Sequence, residues 1–207
     1  MKKIFSTFLL IWIGFNANSQ VLKQGDVLVD AYYGFPDWYK AIFKSDYQGS
    51  GTNISIKSTG HIGLRGEYIV TRRLGIGIDM WYVQTKVTGN ETFYTYTYDE
   101  NNKSYRAINT FNFEEKLGRL TVLGRLLIHL GNNDKVDPYV HVGIGTTKYK
   151  YSRSPKNEYD EDYFGADFPI GFRAGFGARV MFTEHIGANI DVGLGGPLFT
   201  TGLTYKF

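Results

Sequence analysis

Leu198-Phe-Thr-Thr-Gly-Leu-Thr-Tyr-Lys-Phe207 is the stretch whose reading decides the fold. Phe199, Leu203, Tyr205 and Phe207 fall on one parity, while Thr200, Gly202, Thr204 and Lys206 fall on the other. Successive side chains of a strand point to opposite faces, so as a strand this segment has one bulky apolar face and one small or polar face. That is the pattern of a strand with lipid on one side and a polar lumen on the other.

The same alternation recurs upstream. Strand one, Val27 to Phe35, sets Val27, Val29, Ala31, Tyr33 and Phe35 against Asp30, Tyr32 and Gly34. Strand two, His61 to Tyr68, sets Ile62, Leu64, Gly66 and Tyr68 against His61, Gly63, Arg65 and Glu67. Strand three, Leu74 to Val83, sets Leu74, Ile76, Ile78, Met80 and Tyr82 against Gly75, Gly77, Asp79 and Trp81. Strand four, Gly118 to Leu130, carries Arg119, Arg125 and His129 on its inner parity beside Leu123 and Leu127, the least clean polar face of the set. Strand five opposes Val140, Val142 and Ile144 to Tyr139, His141, Gly143 and Gly145. Strand six, Phe168 to Phe182, alternates Ile170, Phe172 and Phe176 with Gly171, Arg173, Gly175, Gly177 and Arg179. Strand seven, Ile186 to Leu194, places Gly187, Asn189, Asp191 and Gly193 on the polar side, and residues 198–207 close the set as strand eight.

Connections after strands one, three and five are long, and those after two, four and six are short: Val70 to Arg73, Gly131 to Pro138 and Thr183 to His185. The link at Gly195-Gly-Pro197 is also brief. Short turns on one rim, longer loops on the other and strands of about 9–11 residues are the habit of barrels in outer membranes. The expected fold is all-β: an eight-stranded antiparallel up-and-down transmembrane β-barrel over residues 27–207.

Alternation alone leaves the inward face open, because a soluble lipocalin-type barrel is apolar inside and polar outside. Glycine position decides it. Gly63, Gly75, Gly77, Gly143, Gly145, Gly171, Gly175, Gly177, Gly187, Gly193 and Gly202 share the parity of the charges. Glycine weakens a strand and gains a solvated outer face nothing, whereas a narrow lumen needs the space. On that face Asp30, Glu67, Asp79 and Asp191 meet Arg65, Arg119, Arg125, Arg173, Arg179 and Lys206, and the apolar parity of these segments carries no charge. A basic residue on the lipid face at mid-membrane costs about 2–4 kcal/mol, so this segregation is physically required. The interior of an eight-stranded barrel is about wide enough for side chains, so these residues are expected to form a lumen charge network that plugs it. A narrow channel for small solutes is the alternative.

The N-terminal region points to export. Lys2 and Lys3 precede an apolar run from Phe8 to Phe15, and Ala17-Asn18-Ser19 offers the small residues of a cleavage site before Gln20. Residues 1–19 are therefore expected to be a signal peptide and residues 20–26 a lead-in to the barrel. Loss of Lys2 and Lys3 lowers the formal charge from +3 to +1, so basicity implies no nucleic-acid partner. With no cysteine in the chain, disulfides and thiolate metal sites are excluded. No two histidines fall at metal-ligand spacing, and no cofactor is expected. Gly175-Phe-Gly177, Gly143-Ile-Gly145 and Gly193-Leu-Gly-Gly196 do not open helices within βαβ units, so they are read as lumen packing rather than phosphate loops.

The loops are the more open ground. Phe93-Tyr-Thr-Tyr-Thr-Tyr98 and the return from Tyr105 to Phe113 predict that strands three and four continue as a hairpin above the membrane, a ribbon able to meet an extracellular partner. Pro36-Asp-Trp-Tyr-Lys-Ala-Ile-Phe-Lys44 reads as a helical turn or two at the mouth, with Trp38, Ala41 and Ile42 on one face. Lys156-Asn-Glu-Tyr-Asp-Glu-Asp162 reads as a solvated charge run, with cation binding the sharper alternative.

Ile62-Gly-Leu-Arg-Gly-Glu-Tyr68, Val70-Thr-Arg-Arg-Leu-Gly-Ile-Gly-Ile78 and Gly202-Leu-Thr-Tyr-Lys-Phe207, together with the signal, make the chain resemble the small eight-stranded outer-membrane β-barrel proteins. These are the OmpA-like and OmpX-like group and the unlinked barrels of Bacteroidota-type bacteria, and the likeness covers about residues 26–207. The resemblance implies a monomer in the cell outer membrane, in contact with outer-membrane lipid and lipopolysaccharide. It also implies that Tyr205 and Phe207 form the signal read by the barrel-assembly machinery. The chain ends at its eighth strand, so the peptidoglycan tether of many OmpA-like proteins is not carried over. Some barrels of this size modify lipid A with a histidine paired to a serine or carboxylate. Here His61, His129 and His141 lie on the lumen parity and His185 in a turn, with no matched serine, so a structural role is expected and the chain is not read as an enzyme.

Overall fold

The computed structural model describes residues 22–47, 54–98, 104–130, 135–155 and 169–207. The predicted signal peptide, the acidic run at 156–162 and the turn at 131–134 lie outside the described residues. In chain order the elements are β1 (Val27–Phe35), α1 (Trp38–Tyr47), β2 (Ile54–Ser58), β3 (His61–Thr71), β4 (Leu74–Tyr98), β5 (Ser104–His129), β6 (Val136–Ser154), β7 (Ile170–Met181), β8 (Ile186–Leu194) and β9 (Phe199–Lys206).

Every neighbouring pair is antiparallel, and the sheet closes when β9 pairs with β1, from Leu28 opposite Lys206 to Phe35 opposite Phe199. Eight strands make the wall: β1, β3, β4, β5, β6, β7, β8 and β9. β2 is an outer continuation of β3 along β4, for Ser58 faces Thr85 while Ile62 faces Tyr82, one residue more than β4 supplies. The excess is absorbed at Thr59 and Gly60 as a bulge. Gly60 sits at φ +70°, and an added Cβ would lie 2.0 Å from the Tyr33 hydroxyl, so the position requires glycine on both counts.

The expected inside and outside are both found. β1 alternates exposed and buried residues along its whole length, with Val27, Val29, Ala31, Tyr33 and Phe35 outward. The outer band continues through Ile62, Leu64, Ile78, Leu126, Val142, Phe176 and Leu203 to Phe207. Ile144 is 68 % exposed while Arg173 is fully buried, an inversion that only a non-aqueous surround makes favourable.

Several boundaries differ from the sequence reading. Residues 54–58, assigned to a loop, are β2, and strand two extends to Thr71. The anticipated hairpin forms, with β4 and β5 in continuous register from Leu74 opposite Ile128 out to Tyr98 opposite Ser104. β6 starts at Val136, so Asp137 and Pro138 belong to the wall rather than to a turn, and it runs on to Ser154. The helical turn is a ten-residue helix, α1. Asp37 caps it, its Oδ1 accepting from the Tyr39 N–H at 3.2 Å.

Candidate functional site

Inward-facing side chains fill the barrel in tiers. At the end where the chain enters and leaves, Leu28, Ile69, Leu127 and Met181 are buried. Above them lies an acidic tier. Arg179 contacts Glu67 at 2.5 Å and Asp30 at 3.1 Å, with Asp137 at 3.6 Å. His129 lies between two carboxylates, with Nε2 2.9 Å from Glu67 and Nδ1 3.0 Å from Asp137. Carboxylates only accept, so the imidazolium, with an N–H at each ring nitrogen, satisfies both. Thr204 donates to Asp30 at 2.7 Å and accepts from Asn189 at 3.1 Å.

The middle tier is cationic. Arg173 donates to Asp191 at 2.6 Å and to the Pro197 carbonyl at 2.7 Å. Arg65 donates through Nε to Asp79 at 3.1 Å and through Nη2 to Thr200 at 3.1 Å, and its guanidinium lies 3.9 Å from the centre of the Tyr32 ring. The Tyr32 hydroxyl donates to Asp79 at 2.6 Å. Arg125 stands between Asp79 at 3.7 Å and Asp191 at 3.6 Å, and His141 Nε2 lies 2.8 Å from Asp191. With His129 cationic, Arg65, Arg125, Arg173 and Arg179 bring the cations of the two tiers to five, against Asp30, Glu67, Asp79, Asp137 and Asp191. The surplus of cations in one tier is the deficit of the other. Charge compensation of this kind is what allows ionised groups to stay out of water.

Inward glycines make the tiers possible. A Cβ on Gly63 would stand 2.2 Å from the Tyr32 ring, and one on Gly177 would stand 2.6 Å from that of Tyr139. Tyr32, Trp81 and Leu123 form an apolar cluster against the cationic tier. At the mouth, Asp37 accepts from Thr85 at 2.6 Å, Ser58 at 2.7 Å and Arg119 at 2.7 Å, and Arg119 stacks 3.8 Å from the centre of the Tyr39 ring. Burial would raise the Asp37 carboxyl, but the hydrogen bonds from Thr85 and Ser58 and the charge of Arg119 outweigh it and hold the group below its ordinary value. A cavity of about 360 Å³ lies beside this knot, between Trp38, Tyr39, His61 and Tyr149.

Of the ten residues expected in the lumen network, all turn inward and eight join the two tiers. Arg119 is tied to Asp37 at the mouth, and Lys206 lies at the opposite rim, 3.9 Å from Asp26. The sequence reading missed Asp37, Asp137 and the bridging role of His129. Asp37 and Asp137 both read as parts of connections: Asp37 lies beyond the end of β1, where alternation gives no guide, and Pro138 masks the fact that Asp137 continues the inward parity of Tyr139 and His141. Among the described residues no cluster of metal-ligating side chains is found. Tyr205 and Phe207 point outward, their rings edge to face with centroids 4.8 Å apart, and Tyr205 stacks on His185.

Three solved structures are similar in outline. The N-terminal β-barrel domain of Pseudomonas aeruginosa OprF is 13 % identical over 90 % of this chain and 100 % of its own, with a TM-score of 0.44. Pseudomonas aeruginosa OprG is 16 % identical over 91 % and 99 %, with a TM-score of 0.43. Escherichia coli outer membrane protein W is 13 % identical over 90 % and 100 %, with a TM-score of 0.40. No curated protein sequence matches the chain. The assignment comes instead from the sequence family: residues 7–207 match the outer membrane protein beta-barrel domain, so the chain belongs to that family and is a protein of the outer membrane.

Proposed function

We propose that the protein is a non-conducting, non-enzymatic barrel that holds a helix and a long β-ribbon above the outer membrane for surface contact. The observation that carries this reading is the pair of ion-paired tiers, in which Arg65, Arg125, Arg173 and Arg179 are all buried against carboxylates across the lumen. Water and solutes would have to displace those pairs to pass, at a cost of several kcal/mol per ion left unpaired. The ribbon supports the second half: β4 and β5 pair over 25 positions, whereas a membrane crossing needs only about 9–11 residues. The histidines support the non-enzymatic reading by their burial: His129 and His141 lie inside the filled barrel against carboxylates, closed off from a substrate. Tyr205 and Phe207, outward and adjacent, are the pair we assign to recognition by the assembly machinery.

Planar-bilayer recording on the purified protein tests the closed lumen. No discrete conductance step is expected across the physiological voltage range; reproducible single-channel steps that Arg173→Ala enlarges would establish the channel instead.

A further inference from the structure

The outer face of the ribbon's base carries a charge pattern that neither the lumen nor the surface-contact reading uses. Above the membrane, β2, β4, β5 and β6 lie side by side, and register places Lys57 opposite Lys86 and Lys86 opposite Lys116. The inward neighbours Ser58, Thr85 and Asp37 are joined by hydrogen bonds, and Glu115 is buried, so the three lysines face out. Lys150, opposite Gly118, lies one outward row closer to the membrane, and Lys148, opposite Leu120, lies one row closer again. Rows are about 7 Å apart and strands about 4.8 Å apart, so five ammonium groups occupy a patch roughly 15 Å square. Among the described outward residues of this patch, Glu114 is the one carboxylate, 2.6 Å from both Lys86 and Lys116. Like charges directly opposite on neighbouring strands repel, and the carboxylate shared by Lys86 and Lys116 leaves Lys57, Lys148 and Lys150 without one among the described residues.

The membrane edge of the patch is apolar. Lys148 shares its row with Leu120, Tyr82 and Ile62, all exposed members of the lipid-facing band. The Tyr82 hydroxyl reaches up to Gln84 at 3.3 Å, the posture of an aromatic at a membrane interface. Among the described residues, the outer ends of β1, β7, β8 and β9 carry Phe35, Ile170, Leu194 and Phe199 and no lysine. An occupant must put anionic groups on the lysines and acyl chains on Leu120 and Tyr82 at the same time. We infer that this face binds the phosphorylated headgroup of an outer-leaflet glycolipid, with Lys57, Lys148 and Lys150 as the ligand-facing cations. Lysine is a compact donor suited to phosphate as a point charge. The inference rests on the outer-membrane assignment and is independent of whether the barrel conducts.

Native mass spectrometry of the whole protein in uncharged detergent provides the test, with diphosphoryl lipid A, its dephosphorylated form and inorganic pyrophosphate as probes. The protein should retain diphosphoryl lipid A at least about tenfold more than the dephosphorylated form. The triple Lys57→Ala, Lys148→Ala, Lys150→Ala variant should lose roughly a hundredfold in affinity, at about fivefold per lysine. Lys57→Arg, Lys148→Arg, Lys150→Arg should keep binding, which separates lost charge from a lost fold. Equal retention of the two lipids, or unchanged binding by the folded alanine variant, would overturn the inference. Full displacement by pyrophosphate at comparable concentration would also overturn it, assigning the lysines to soluble anions.

Discussion

At the scale of single residues, the interior is set by what the glycines leave room for and by which charges each arginine meets. Gly63 is the sharpest case of space. Its missing Cβ is where the Tyr32 ring lies, and that ring delivers the hydroxyl that donates to Asp79 at 2.6 Å. Gly63→Ala should cost about 1–3 kcal/mol through overpacking and the displaced hydrogen bond, read as a lower temperature for loss of the folded band in detergent. His129 is the sharpest case of charge. His129→Leu leaves Glu67 and Asp137 to share Arg179, an uncompensated burial expected to cost about 3–5 kcal/mol. Adding Glu67→Gln should restore part of that loss in the same assay; additive losses would count against a shared network. The Arg65 and Asp79 pairing was foreseeable from their common parity. The tie of His129 to Asp137 was not, because Gly131 to Pro138 reads as a turn; in the structure Asp137 lies on β6, diagonal to His129 across the β5–β6 pairing.

At the scale of elements, α1 is fastened to the barrel by one carboxylate with several donors. Asp37 caps the helix and accepts from Ser58 on β2, Thr85 on β4 and Arg119 on β5. Its carboxyl is held below the ordinary value of 3.8, so the ionised form is the anchored form. A depressed acid contributes its full stabilisation above its unfolded value and loses it as pH falls through the folded value. The emission of Trp38, the first residue of α1, should therefore be steady at neutral pH and shift as the pH is taken below about 3.8, while Asp37→Asn should abolish that step. A transition of unchanged midpoint in Asp37→Asn would show that another group holds the helix. The helix itself was legible from Pro36-Asp-Trp and the spacing of Trp38 and Ile42. Its anchor was not, because the three donors come from strands 21 to 82 residues away in the chain.

At the scale of the whole molecule, the closed hydrogen-bonded wall has no free edge over the membrane-spanning part, and β9 seals onto β1 along both strands. In lipid every backbone group must be satisfied within the protein, and closure achieves that. A closed barrel resists detergent until heated, so unboiled and boiled samples should migrate differently in detergent gels. Identical migration, together with solubility in the absence of detergent, would be incompatible with this architecture. Above the membrane the wall is uneven: β4, β5 and part of β6 rise well past β1, β7, β8 and β9, which gives the barrel one tall side. The helix knot and the lysine patch both lie on that side.

The amino-acid pattern alone determined the strand number, the alternation of faces and the inward placement of the ten charged residues, because a period of two is written locally in each segment. It also placed Phe207 and Tyr205 outward. Which carboxylate meets which guanidinium, the separation into an acidic and a cationic tier, and the capture of Arg119 by Asp37 were decided by the tertiary structure. Those contacts depend on the stagger between strands and on how far each strand runs beyond the membrane. Stagger is set only when the sheet closes on itself, so no single segment carries it.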